Sequence, residues 1–186
     1  MRKLKVGLLV LVMVCLLALL MSCGMRPSRP ELPRSDSEAI ANEWNTADLD
    51  TSSNGNVLLA VGLLQNEDGI SGAMAASPGL VIAEPQNYYG QLIKLTGIVS
   101  AVTNYSPSSE MSALLEADRE SAEMVITTDD GYIVKVLLRY NAGTISFGER
   151  VHVYGYVVGR LDNIETPTAG FALCLVLVSN VVERAQ

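Results

Sequence analysis

Histidine, cysteine and aromatic residues are scarce in this sequence, and each shortage excludes a class of protein. A single histidine among 186 residues rules out histidine-rich metal sites, and three cysteines cannot build a disulfide-rich scaffold. Aromatic residues make up only 5% of the chain, whereas 49% of its residues are apolar. This composition excludes collagen-like, coiled-coil and wholly disordered chains, and it fits one modest domain with additional segments.

Recognisable enzyme motifs are also missing from the sequence. It contains no G-x-S-x-G, no glycine-rich phosphate loop ending in Lys-Ser/Thr, no H-E-x-x-H and no C-x-x-C. His152 stands alone, and Cys174 lies in an apolar run, where a lone thiol usually acts as a small buried hydrophobe. We therefore expect a protein without catalytic residues, metal ligands or a cofactor.

The N-terminal segment has the two parts that begin an export signal. Arg2, Lys3 and Lys5 form a positive region, and sixteen uncharged residues follow, Val6–Met21. As a helix this run would be about 24 Å long, which is shorter than the hydrocarbon core of about 30 Å. The pattern is typical of the apolar part of a signal peptide rather than of a membrane-spanning helix.

The end of this segment, Leu20-Met21-Ser22-Cys23-Gly24, resembles the signal of bacterial lipoproteins. An aliphatic residue lies three places before the cysteine, and a small residue directly precedes it. The resemblance implies that the Cys23 thiol carries a diacylglycerol and that the leader is cut before Cys23. It also implies that the new amino group often takes a further acyl chain such as palmitate. Two or three acyl chains anchor a protein stably, whereas one binds only marginally.

Two other interpretations of the leader stay open, an ordinary secretory signal and an uncleaved signal anchor. The absence of an A-x-A-like site just downstream argues against the first. Residues 25–33 form a polar spacer instead of a stop-transfer flank, which argues against the second. The lipoprotein interpretation places the chain on the extracytoplasmic face of a cell membrane and leaves open whether that membrane is inner or outer.

The charge of the remaining chain limits its partners. Without residues 1–22, 10 lysine and arginine side chains face 20 aspartate and glutamate side chains, a net charge of −10. Nucleic-acid phosphates and anionic lipid headgroups repel such a chain, so the sequence disfavours nucleic acid as a partner. Membrane attachment is then expected from the lipid anchor and not from a polybasic patch.

Composition divides the chain into four predicted segments: a signal peptide (1–22), a flexible tether (23–35), a partly ordered segment (36–76) and a sheet domain (77–186). The tether is rich in proline and poor in apolar residues. In the third segment, residues 36–48 predict a short helix with Ile40 and Trp44 on one side, and residues 67–77 predict a loop. The apolar octet Val57–Leu64 fits either a helix or a buried strand.

Five strands are predicted in the sheet domain from apolar alternation: Leu92–Thr103, Glu123–Thr128, Tyr132–Arg139, Arg150–Arg160 and Phe171–Glu183. Asp129-Asp130-Gly131 predicts a hairpin between the second and third strands. Gly97 and Gly155 fit bulges or tight coiling of a small closed barrel.

Two helical elements are predicted around the first strand. Ser77-Pro78 predicts the start of a short helical turn that runs to Ala83. Between the first two strands, Ser108–Ser121 predicts a helix, with Met111, Leu114 and Leu115 spaced for one face. The fold class is therefore all-β, a five-stranded Greek-key barrel with one short helical insertion.

Two stretches resemble OB-fold domains of exported bacterial proteins, among them the tRNA-anticodon-like OB group. These are residues 84–99, with Pro85-Gln-Asn-Tyr-Tyr-Gly90 before an alternating strand, and residues 147–157, with Gly148-Glu-Arg-Val-His-Val-Tyr-Gly155. The resemblance covers about residues 78–184 and implies an OB-fold. The chain departs from the usual pattern because its helix lies between strands one and two, and residues 140–147 are too few for the common helix between strands three and four.

OB-folds often bind oligonucleotides or oligosaccharides on the face of strands two and three. The candidate ligand-binding residues on the outward side of the predicted strands are Lys94, Lys135, Arg139, Tyr154 and Tyr156. The lysine and arginine residues do not form a basic stripe, because residues 77–186 contain 7 lysine and arginine residues against 12 aspartate and glutamate residues. The two tyrosines could stack on a glycan or contact an envelope protein, or simply fill a solvated sheet surface.

A calcium-loop pattern occurs in Asp50–Gly55, which matches positions 1, 3, 5 and 6 of an EF-hand loop. Position 12 is Val61, so the bidentate carboxylate of that site is missing. A polar Asn-Gly turn is the alternative interpretation.

The last predicted strand has one unusual property, since Phe171–Val178 is apolar on both faces. Either the Val57–Leu64 octet folds back to cover its outer face, or a partner or second copy does so. For the function we expect a membrane-anchored extracytoplasmic lipoprotein that presents an OB-fold-like binding or interaction module. The alternative is a structural or assembly factor of a cell-envelope protein complex.

Overall fold

The structure, a computed structural model, describes residues 43–66, 70–166 and 170–185. Its strands are β1 (Met74–Ala75), β2 (Leu92–Tyr105), β3 (Ser121–Thr127), β4 (Ile133–Leu138), β5 (Arg150–Thr166) and β6 (Gly170–Arg184). Its helices are α1 (Asn56–Asn66), α2 (Pro78–Ala83) and α3 (Glu110–Leu114), with a 3₁₀ turn at Pro85–Tyr88. The predicted signal peptide, Cys23 and the tether lie outside the described residues. No helix within the described ranges is long and apolar enough to cross a membrane.

The strands close into a barrel in the order β2-β3-β4-β6-β5 and back to β2. The β4–β6 pair is parallel, and the other four pairs of this ring are antiparallel. β2 is long enough to pair with β5 through its first half and with β3 through its second half. This strand order is the Greek-key arrangement of an OB-fold, so the predicted fold class is confirmed.

The barrel core consists of the inward side chains of the five long strands. Because side chains alternate across a strand, every second residue of β2, β3 and β4 points inward. The side chains of Ile93, Leu95, Met124, Ile126, Val134, Val136, Leu175 and Leu177 are all buried there. The predicted hairpin also forms, because Thr128 N–H donates to Tyr132 O at 2.9 Å and Gly131 has a φ of +82°.

Gly97 and Gly155, at which the sequence predicts bulges or tight coiling, both allow strands to approach closely. A Cβ atom on Gly155 would lie 2.6 Å from the carbonyl oxygen of Val178, and one on Gly97 would lie 2.8 Å from that of Thr127. A register shift occurs at Gly155, but the shift in β2 lies between Val99 and Ala101 instead of at Gly97. Gly155 therefore marks a bulge, whereas Gly97 marks a close approach of two strands.

The segment before the barrel differs from its sequence prediction in two places. Residues 43–48 are not helical, because Asn45 Oδ1 accepts the N–H groups of Ala47 and Asp48 and turns the chain. The ring of Trp44 instead stacks on Tyr89 with 5.2 Å between centroids. The predicted loop 67–77 contains β1, which pairs in parallel with the start of β2.

The helix between the first two barrel strands is shorter than predicted. α3 ends at Leu114, and Ser121 already belongs to β3. Glu116 adopts a left-handed conformation with a φ of +47°. The N–H groups of Glu116 and Ala117 turn back to the carbonyl oxygens of Ala113 and Ser112, which ends the helix. Leu115 is buried, but Leu114 is exposed, so the three predicted apolar positions do not share one face.

Candidate ligand-binding face

α1 covers the outer face of β5 and β6. The octet Val57–Leu64 is helical, and four of its side chains, Val57, Ala60, Val61 and Leu64, are buried. They form a second apolar cluster with Leu115, which follows α3, and with side chains that project outward from the barrel strands: Leu137, Tyr156, Val158, Val176 and Val178. This is the fold-back arrangement that the sequence analysis offered as one of two explanations for the two apolar faces of β6.

The same cluster reaches the face on which OB-folds usually bind ligands. That face corresponds to β3 and β4 here. Leu137 of β4 is buried in the α1 cluster, and Leu115 and Met111 of the segment around α3 pack against it. Further along the two strands, Lys135 Nζ lies 3.1 Å from Glu123 Oε1. The chain's own residues therefore occupy one end of this face, and an internal ion pair neutralises the charge beside it.

Two asparagines hold the start of α1 on β5. The side-chain amides of Asn54 and Asn56 donate to the carbonyl oxygen of Val158 at 2.8 Å and 3.3 Å. Asn54 Oδ1 in turn accepts the N–H of Asn56 at 2.9 Å. Because both asparagines are buried, these bonds satisfy polar groups that water cannot reach.

Gly159 makes this attachment possible. Its φ of +144° lies outside the range that other residues favour, and a Cβ atom there would lie 2.6 Å from the carbonyl oxygen of Leu49. The neighbouring backbone forms a short parallel bridge, in which Arg160 N–H donates to Leu49 O at 2.8 Å and Thr51 N–H donates to Arg160 O at 3.0 Å. Residues 49–56 are thus bound directly to β5.

The structure brings two of the five predicted ligand-binding residues together. Lys94 Nζ lies 5.4 Å from the centroid of the Tyr154 ring, a cation–π distance. The Tyr154 hydroxyl donates to Glu183 Oε2 at 3.0 Å, and the residue is only 7% exposed. Beside them, Thr96 Oγ1 and His152 Nδ1 are 2.8 Å apart. The Tyr154 side chain thus contacts other residues of the chain, and little of its ring surface is available for stacking on a ligand.

The other three residues lie apart from that pair. Tyr156 is 2% exposed and belongs to the cluster beneath α1. Lys135 pairs with Glu123, and Arg139 donates from Nε to Leu115 O at 2.8 Å and from Nη2 to Glu116 O at 3.1 Å. Arg139 therefore binds the carbonyl groups that follow α3, where a cation is favourable. The five residues do not form one continuous ligand surface.

The calcium-loop pattern at Asp50–Gly55 folds as a polar turn. Asp50 Oδ1 accepts the N–H and hydroxyl of Ser52 at 2.8 Å and 2.7 Å, and these bonds lower the pKa of Asp50. Asn54, the third candidate ligand, points to Val158 instead of towards Asp50. Within the described part of the chain, no cluster of three metal-binding side chains occurs.

Cys174 is buried on β6. Burial raises the pKa of its thiol to about 11. The thiol therefore stays protonated near neutral pH and is a poor nucleophile.

The sequence analysis did not find several large apolar side chains that the structure leaves exposed. Leu80 of α2, Tyr132 at the β3–β4 hairpin and Leu173 of β6 are 64%, 37% and 42% exposed. A groove of about 280 Å³ is lined by Ile82, Gly131, Tyr132, Ile133, Ala172 and Leu173. No spacing in the sequence links these residues, because they come from three separate elements.

No family model and no curated protein matches this chain. Among solved structures, it is similar to the small single-stranded DNA-binding protein of Streptomyces coelicolor, with 8% identity, a TM-score of 0.34 and coverage of 50% of this chain and 93% of that one. It is also similar to the second OB-fold domain of replication protein A from Methanococcus maripaludis, with 15% identity, a TM-score of 0.33 and coverage of 61% and 96%. The fold assignment stands on the strand order described above.

Proposed function

We propose that this chain is a lipid-anchored, extracytoplasmic bacterial lipoprotein whose OB-fold domain acts as a protein-interaction module. The segment Leu20-Met21-Ser22-Cys23 carries the anchoring part of the proposal, because it follows a basic region and a sixteen-residue apolar run. Acylation at Cys23 would give the two or three chains that stable membrane attachment requires.

The surface of the barrel supports protein recognition over recognition of nucleic acid. Single-strand binders present a positive groove with exposed aromatic rings. Here Lys135 is paired with Glu123, Arg139 binds backbone carbonyls, and Tyr156 lies beneath α1. The excess of 12 acids over 7 bases in residues 77–186 would repel a phosphate backbone.

A second candidate function is that of an assembly factor of an envelope complex. The exposed side chains of Tyr132 and Leu173, which line one groove, favour it, since apolar residues that lie together on a surface commonly mark contacts with other proteins. In-cell crosslinking followed by affinity capture distinguishes the two functions. An assembly factor would be recovered in a constant ratio with other membrane proteins, whereas a module that binds a soluble protein or a glycan would not.

Intact-mass measurement of the full chain expressed in a bacterium tests the anchor. We expect a mature protein that begins at Cys23 and carries the mass of a diacylglycerol, with or without one more acyl chain. Cys23→Ala should leave the leader uncut and remove the added mass, while Cys174→Ala should change neither. An unmodified Cys23 thiol in the native protein would overturn the lipoprotein proposal.

A further inference from the structure

A polar pocket opens between β1 and the β3–β4 hairpin, over the first half of β2. Its volume is about 370 Å³, which lies within the range of about 300–1,000 Å³ that small-molecule sites usually occupy. β2 contributes the side chains of Lys94 and Thr96, and the hairpin contributes Thr128, Asp129 and Asp130. Small apolar residues of β1 and of the start of α2 form the remaining wall. The pocket therefore has the size of a small-molecule site and a lining in which polar and charged groups predominate.

Contacts with neighbouring strands hold the polar groups of the pocket in place. Thr96 Oγ1 lies 2.8 Å from His152 Nδ1 of β5, and Lys94 Nζ lies 5.4 Å from the centroid of the Tyr154 ring. On the hairpin side, Thr128 is only 5% exposed, and its hydroxyl oxygen accepts a backbone N–H at 3.1 Å. The pocket thus offers an ammonium group and two hydroxyl groups at positions that the barrel itself determines.

Two opposite charges in this pocket lack an ion-pair partner. Arg150 binds the carboxylate of Asp129 through two guanidinium nitrogens, so the charge of Asp129 is already compensated. Lys94 and Asp130 differ, because neither forms an ion pair with the other or with any further side chain in the described ranges. One free ammonium group and one free carboxylate therefore line the same cavity without neutralising each other.

We propose that this pocket binds a small zwitterion of the amino-acid class, with its carboxylate at Lys94 and its ammonium group at Asp130. The hydroxyl groups of Thr96 and Thr128 would supply further hydrogen bonds to the two ends of such a ligand. A single exposed ion pair contributes little to affinity, so the ligand must engage both charges at once. The proposal goes beyond the interaction function proposed above, and it uses one of the predicted ligand-binding residues, Lys94.

The charges of the pocket disfavour other classes of small ligand. A phosphate would meet the carboxylates of Asp129 and Asp130, whereas a metal cation would meet the ammonium group of Lys94. No cluster of three metal-binding side chains occurs among the residues that the structure describes. A neutral sugar would leave both charges without a partner, and Lys94 already lies over the Tyr154 ring on which a sugar could stack. A ligand that carries both charges a few atoms apart compensates the two groups together.

An NMR titration of the full chain in detergent tests the proposal at low ionic strength, where exposed charges are least screened. The probes are glycine, 4-aminobutyrate and 6-aminohexanoate, which carry the same two charges at increasing separations. We expect at least one probe to shift the backbone amide signals of Thr96, Thr128 and Asp130 in a saturable manner. The two singly charged analogues of the tightest probe (butyrate and butylammonium in the case of 4-aminobutyrate) should bind about threefold more weakly or worse.

Variants that remove one charge at a time test the orientation of the ligand. Lys94→Met keeps the length of the side chain and should weaken binding of the tightest zwitterion about threefold or more, without weakening its ammonium analogue. Asp130→Asn should weaken the zwitterion to a similar extent, without weakening its carboxylate analogue. Lys135→Met and Asp118→Asn are the matched controls, because they remove the same charges outside the pocket. Both controls should leave the affinity unchanged within about twofold.

Three outcomes would overturn the proposal. The first is the absence of saturable shifts with all three zwitterions, and the second is equal binding of the zwitterion and its singly charged analogues. The third is an affinity that neither Lys94→Met nor Asp130→Asn changes, because the ligand would then bind elsewhere on the chain. The amide spectrum of each variant reports whether it folds. Should Lys94→Met fail to fold, Asp130→Asn decides the question, since this exposed side chain has no ion-pair partner among the described residues.

Discussion

The side-chain amide of Asn54 donates a hydrogen bond to the carbonyl oxygen of Val158, 104 residues further along the chain, at 2.8 Å. This bond attaches the start of α1 to the barrel, and the helix packs over β6 beyond it. Beyond this attachment, α1 buries outward side chains of β5 and β6, among them Tyr156 and Val178. Five predictions follow from this arrangement and from the local structure around it.

Asn54→Ala should lower the free energy of unfolding by about 1–3 kcal/mol, because Val158 O loses its shorter bond and the Asn56 N–H loses its acceptor in a buried site. Urea denaturation measures the change. Asn87→Ala is the control, since this exposed side chain bonds only to Glu84, and it should cost less than about 0.5 kcal/mol. Equal effects of the two substitutions would contradict the role assigned to Asn54.

Gly159→Ala should lower the free energy of unfolding by about 2 kcal/mol or more. The new Cβ atom would lie 2.6 Å from Leu49 O on a backbone with a φ of +144°. Gly62→Ala serves as the comparison, because a Cβ atom there has no neighbour within 4 Å, and alanine should raise helix stability by about 0.5–1 kcal/mol. Thermal unfolding of both variants would show shifts of opposite sign.

Val61→Asp should detach α1 from the barrel, since it places a charge at a position that is 1% exposed in the cluster with Val176 and Val178. We expect a loss of about 3 kcal/mol or more and faster hydrogen exchange in β6. Leu58→Asp lies on the exposed side of the same helix and should change stability by less than about 0.5 kcal/mol. Similar exchange rates in both variants would show that α1 does not cover β6.

Cys174 should make stability depend on alkaline pH. The pKa of its thiol rises from 9.0 to about 11 on folding, because burial disfavours the thiolate. The unfolded chain therefore loses its proton first, and the contribution of this group to stability is complete below pH 9 and lost as the pH rises to about 11. The slope should be about 1 kcal/mol per pH unit in that window. Cys174→Ala should remove this part of the slope in urea titrations, while the raised pKa values of Tyr89 and Tyr140 act equally in both proteins.

Glu116→Gly should stabilise the protein by about 1 kcal/mol, because Glu116 holds a left-handed conformation with a φ of +47° that costs other residues energy. Glu110→Gly, at the first residue of α3, should instead lower stability by up to about 1 kcal/mol, because it removes a better helix former and a favourable negative charge from the first turn. Denaturant midpoints compare the two. A loss of stability in Glu116→Gly would mean that its exposed bond to Gln65 outweighs the backbone strain.

Much of the barrel could be predicted from local patterns. The alternation around Ile93 and Leu95 and the Asp129-Gly131 turn are properties of neighbouring residues, so they can be recognised without any distant contact. The close approaches at Gly97 and Gly155 involve Thr127 and Val178 of other strands, and the sequence indicated only a bulge or tight coiling at these two positions. Helix ends were less predictable. The end of α3 depends on a left-handed glutamate at position 116, a residue whose type does not indicate that conformation.

The candidate ligand-binding residues show what the alternation of side chains along a strand cannot predict. Tyr154 and Tyr156 do point outward from the barrel, as alternation requires. Whether an outward side chain meets water depends on what packs over it, and here Glu183 and Lys94 cover one ring while α1 covers the other. Whether an outward side chain is exposed to solvent therefore depends on the tertiary structure.

The sequence by itself determined the strands of the barrel, the hairpin and the acidic charge, because each follows from the type and spacing of adjacent residues. Only the tertiary structure decided that α1 lies over β5 and β6, since Asn54 and Val158 meet through a bond between distant positions. It alone also brought Ile82, Tyr132 and Leu173 to one groove, because three separate elements must pack before their side chains share a surface.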